Sequence, residues 1–116
     1  MIAPARVAAF EALSAVANGQ DLASALADVR DGLPDARDRA LATELVTGVL
    51  RSRGALDYLL RALTRRDLDQ LDHEIVDILR VGLYQLRSLT RVPAAAVVHD
   101  AVEMARRARK RSAAGF

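Results

Sequence analysis

Cysteine is absent from this 116-residue sequence, lysine occurs once, and only four side chains are aromatic. Without cysteine there is no disulfide framework, no thiolate metal site and no cysteine nucleophile. No apolar run approaches the ~18 residues of a membrane span, and the opening "MIAPARVAAF" has no apolar core followed by a small-residue cleavage site. The expectation is a cytoplasmic protein with no membrane partner. The aromatics are Phe10, Tyr58, Tyr84 and Phe116, and a core claims two or three of them, which argues against a stacking platform for single strands. Period-2 strand patterns are missing as well, so no glycine-rich phosphate loop or GxGxxG turn follows a strand. His73 and His99 stand far apart without ligand spacing. The sequence therefore offers no catalytic residue, no cofactor-binding residue and no metal ligand.

What is present is helical periodicity from end to end. The length allows one domain over 1–116, burying roughly two-thirds of its unfolded surface. A first helix is predicted from Pro4 to Ala17, carrying Val7, Phe10, Leu13 and Val16, and Asn18-Gly19 stops it. Asp21 caps a second helix with Leu22, Leu26 and Val29 on one face, broken by the run Asp31 to Pro34. Asp35 caps a third, with Leu41, Leu45, Val46 and Val49, which Gly54 interrupts before Leu56, Leu59, Leu60 and Leu63. A polar hinge, "TRRDLDQLD", then separates two helix groups, about 4–63 and 72–111. Pro93 opens the last helix.

The fifth helix, 72–89, is the greasiest. Its apolar positions cover an arc of about 220°, leaving Asp77, Arg80, Tyr84, Arg87 and Ser88 on a narrow strip expected to be wet. Gly82 falls mid-arc, where a neighbouring helix is expected to approach closely. Gln85 falls inside the arc and requires a hydrogen-bond partner. The fold class is all-α, a helical bundle around this helix.

Charge is concentrated at one end. Arg106, Arg107, Arg109, Lys110 and Arg111 lie within six residues, and without them twelve basic residues face fifteen acidic ones. Such a cluster neutralises phosphates and releases counterions. It also suits a helix C-terminus, whose dipole favours cations, or a linker. Arg80, Tyr84 and Arg87 stand at i, i+4 and i+7, a ridge of forked donors and a ring that could meet RNA, unless Asp77 simply pairs with Arg80. Arg37, Glu44 and Arg51 form a further polar stripe, read most simply as a solvated face.

Three segments carry a family resemblance: "DRALATELVTGVLRSRGALDYLL" (38–60), "ILRVGLYQLRSLTRVPAAAVVHDAVEMAR" (78–106) and the terminal "GF". Over about residues 5–116 the chain resembles the NusB-type helical domain. The variety it resembles begins bacterial rRNA cytosine-carbon-5 methyltransferases of the RsmB (Sun/Fmu) group. The first helix carries only Arg6 where NusB itself has an arginine-rich stretch, and Tyr84-Gln85 replaces a tyrosine-glutamate pair. Both departures favour the methyltransferase-associated type. The resemblance implies a fold of two packed helix groups and a non-catalytic role in binding RNA, expected to be rRNA. It also implies a C-terminal methyltransferase domain in cis, with S-adenosylmethionine bound only there. Family members continue after "GF" with an asparagine-bearing helix, so the resemblance makes this chain an excised domain, a fragment or a freestanding relative. Two other readings are an antitermination factor that binds RNA with a ribosomal-protein partner, and a helical interaction module without RNA.

Overall fold

The computed structural model describes residues 1–114, with six helices and no strand among them. These are α1 (Pro4–Ala17), α2 (Leu22–Asp31), α3 (Ala36–Arg51), α4 (Arg53–Thr64), α5 (His73–Ser88) and α6 (Ala94–Ala114). A single 3-10 turn, Leu68–Gln70, lies within the polar hinge. The Gly115-Phe116 pair of the sequence signature lies outside the described residues.

Local chemistry sets the boundaries. The carboxylates of Asp21 and Asp35 accept from the Ser24 and Arg37 amides at 3.0 and 2.8 Å, satisfying donors that a helix start leaves free. The break after α3 falls at Ser52, just ahead of Gly54. Backbone bonds nonetheless run across it, from Ser52 N to Gly48 O and from Leu56 N to Ser52 O, so α3 and α4 form a bent pair. Arg65 closes α4 in the left-handed conformation, φ 56°. The hinge is anchored, because Leu68 is buried against Leu60 and Val76.

Helix α1 is the hub. Its Ala5, Ala8, Ala9 and Ala12 are buried, and such small side chains let several helices approach one axis. It packs on α2, α3 and α5. Ala9, Ala12 and Leu13 meet Leu45, Val46 and Val49 of α3, Leu56 of α4 and Val81 of α5 in the main core. A second cluster joins Ile2, Val7 and Phe10 to Ile78, Met104 and Ala108, tying α1 to α5 and α6.

Helix α5 departs from the expected phase. Asp77, Arg80 and Tyr84, placed on the wet strip by their polarity, are all buried, while Leu86 is half exposed. The bent α3–α4 pair covers that strip. From α4, Asp57 receives the Arg80 Nε and Nη2 donors at 2.8 and 2.9 Å, and Asp77 receives Nη1 at 2.9 Å. Burial disfavours the charged guanidinium, but bonding to Asp57 and Asp77 outweighs it and holds the Arg80 pKa above the ordinary arginine value. Gly82 also differs from expectation. A Cβ there would meet Ala101 and Val97 at an ordinary 3.9 Å. The tight glycine is Gly48 on α3, where a Cβ would fall inside the Tyr84 ring. Gln85 is fully buried and partnered as required. It accepts from Arg6 Nε at 2.9 Å and donates to Val81 O at 3.0 Å.

Candidate nucleic-acid interface

The last helix presents the basic cluster. Val97, Asp100, Met104 and Ala108 form its buried stripe, and that phase fixes where the cations point. Arg106 and Lys110, one turn apart, are exposed on the outer face, with Arg109 exposed beside them. Arg107 and Arg111 face α1 and line a groove between the two helices.

The five charges are not equivalent. Arg111 Nη2 is 2.6 Å from Glu74 of α5, and Arg106 Nη1 is 3.6 Å from Glu103 in the preceding turn. Arg107, Arg109 and Lys110 have no carboxylate within ion-pair distance among the described residues. The cluster also occupies the C-terminal half of α6, where helix carbonyls favour cations. Part of its charge is thus compensated internally, and Arg109 and Lys110 carry most of the free field.

The second candidate strip does not form on the surface. Arg80 spends its donors on Asp57 and Asp77. Tyr84 lies over Gly48, and its hydroxyl donates to Glu44 and accepts from Arg51 Nη2 at 3.4 Å. The Glu44 bond, with burial, raises the Tyr84 pKa above the ordinary phenol range. Of the three, only Arg87 is exposed. The stripe of Glu44 and Arg51 is therefore a clamp on a buried phenol, with Arg37 exposed at its far end.

Sequence reasoning missed one buried ionic centre. Arg6 of α1 is buried and pairs with Asp100 of α6, Nη1 to Oδ2, at 2.7 Å. The same oxygen accepts from the Ala3 amide at 3.0 Å. Burial alone would raise the Asp100 carboxyl; the Ala3 amide, Arg6 and His99 outweigh it and hold it below the usual carboxylate range. The signal was available. Asp100 sits between Val97 and Met104 on the apolar side of α6, and Arg6 is the one cation of a helix full of alanines. His99 is exposed beside Asp100, and no group of histidines and carboxylates suited to a metal occurs among the described residues.

A model of the NusB family matches residues 3–116. The chain belongs to the NusB family. Among curated relatives, this NusB-family chain is 42% identical over 105 residues to a Mycobacterium tuberculosis protein assigned as a methyltransferase, covering 88% of the chain and 22% of that protein. It is 38% identical over 112 residues to the ribosomal RNA small subunit methyltransferase B of Pseudomonas putida, covering 96% and 25%. The corresponding Escherichia coli (strain HS) protein is 36% identical over 88 residues, covering 76% and 20%. The chain thus spans between a fifth and a quarter of the length of these relatives. No solved structure is matched. Among the described residues, no helix is long and apolar enough to cross a membrane.

Proposed function

We propose that this NusB-family domain binds rRNA and positions it for an attached S-adenosylmethionine-dependent cytosine methyltransferase domain, as part of a longer cytoplasmic protein. The observation that carries the reading is the basic end of α6, found in a chain similar to rRNA methyltransferases over a fraction of their length. The RNA-facing set is Arg106, Arg109 and Lys110, with Arg107 and Arg111 at its groove-side margin. Arg87, in the last turn of α5, contributes at most a separate contact. The cofactor and the chemistry belong to the attached domain. The antitermination reading is weaker, because the one cation of the first helix, Arg6, is engaged by Asp100 and Gln85.

Filter-binding titrations with structured rRNA fragments at two salt concentrations test this. Replacing Arg106, Arg109 and Lys110 by glutamine should weaken binding across sequences. It should also flatten the log–log salt dependence by about 0.7–0.9 for each phosphate that is no longer neutralised. Glu74→Gln, which releases Arg111, should strengthen binding. An unchanged slope in the triple variant overturns the proposal.

A further inference from the structure

The hub helix has one flank that the bundle leaves open. Helix α1 packs on α2, α3 and α5, and its Val7, Phe10, Ser14 and Asn18 instead line a groove of about 500 Å³ whose far wall is Met104, Arg107 and Arg111 of α6. Both walls are stripes at helical spacing, i, i+3, i+7 and i+11 on α1 and i, i+3 and i+7 on α6. From Val7 to Asn18 the groove follows eleven residues of helix, about 17 Å, or three turns. The floor is apolar, with Ile2 and Met104 at the bottom and Val7 and Phe10 only half buried. The rims carry opposite charge. Glu11 on α1 and Arg107 on α6 are exposed and lack an ion-pair partner among the described residues.

We propose that this groove seats an amphipathic helix of a polypeptide partner, with its apolar face on Ile2, Val7, Phe10 and Met104 and polar flanks complementary to Glu11 and Arg107. The length and the helical stripes match about three turns of helix, read at i, i+3, i+4 and i+7. The sign of the walls selects against nucleic acid, because Glu11 and Glu74 would repel a phosphate chain lying along the floor. The inference is independent of RNA binding, which rests on the outward cations of α6.

The probe is a designed 14-residue amphipathic peptide with leucines at i, i+3, i+4, i+7 and i+11, glutamates on one flank and lysines on the other. Titrated into the intact chain, it should move the methyl resonances of Ile2, Val7 and Met104 saturably and leave those of Val98 and Val102, on another exposed side of α6, in place. Ser14→Trp, which fills the groove, should weaken binding at least tenfold, whereas Val98→Asp should not change it. Glu11→Arg, a surface change that keeps the fold, should shift preference toward a peptide with glutamates on both flanks. The proposal is overturned if no saturable shift appears, if the shifts map to Val98 and Val102, or if Ser14→Trp and Glu11→Arg both leave binding unchanged. It is equally overturned if the groove methyls respond to protein concentration with dimerisation in sedimentation, or to an RNA hairpin that displaces the peptide.

Discussion

Two glycines in helices of this chain have opposite reasons to exist. Gly48 provides the space that Tyr84 occupies, so the phenol can lie on α3 and reach Glu44. Gly82 faces Val97 and Ala101 with room for a methyl group, so its retention costs helix propensity without a steric return. Gly48→Ala should therefore destabilise the protein by about 1–3 kcal/mol, the range for overpacking a core. Gly82→Ala should leave stability unchanged or raise it by up to about 1 kcal/mol, the glycine–alanine difference in helix propensity. Thermal or urea melts of the two variants decide the matter, and equal losses would contradict the assignment. A Tyr84→Leu background should remove most of the Gly48→Ala penalty, since the clash is with the ring. Arg80 belongs to the same scale. Removing it would leave Asp57 and Asp77 confronting each other without a cation, a loss of about 3–5 kcal/mol for a broken buried pair.

Helix α1 starts with Pro4 and has no side-chain cap of its own. Its first turn is held instead by a carboxylate from another helix, Asp100 of α6, bonded to the Ala3 amide and to Arg6. An anion at a helix N-terminus is favoured by the dipole. Because the folded-state pKa of Asp100 is lowered, its contribution is present above the unfolded value near 4 and is lost as pH falls through the lowered one. Stability should therefore decline below about pH 4, and Asp100→Asn should be less stable at neutral pH with a flatter acid limb. Urea midpoints measured from pH 2 to 7 check this; parallel curves for the two proteins would refute it. Element boundaries were readable in advance because caps and helical periodicity are local. The expected first helix and α1 share their ends, and the need of Gln85 for a partner was legible from its phase alone. The burial of Arg80 and Tyr84 was not. Polarity places a charge on the wet side unless a partner elsewhere can neutralise it, and Asp57 lies 23 residues away on a helix whose bend covers the strip. The same holds for the split of the basic cluster, which follows from the phase of α6 against α1 and from Glu74.

At the level of the whole molecule, the division into helix groups at 4–63 and 72–111 does not correspond to separate cores. Helix α1 contributes to the clusters on both sides of the hinge, and Leu68 pins the hinge itself. Unfolding should accordingly be one cooperative transition. Helix loss in circular dichroism and exposure of the buried Tyr84, followed by tyrosine absorbance, should give coincident melts; separated midpoints would show two independent units. The clasp between Arg6 and Asp100 also has a history within each molecule's synthesis. The two residues are 94 positions apart, and ribosomes add roughly 5–20 residues per second, so Arg6 emerges roughly 5–20 s before its carboxylate exists. The middle of α1 can settle early against α2 and α3, which are made soon after it. Its first turn cannot. The earliest residues to leave the ribosome are thus among the last to reach their final place, and a nascent chain shorter than about a hundred residues holds a hydrated Arg6 and an untethered amino terminus.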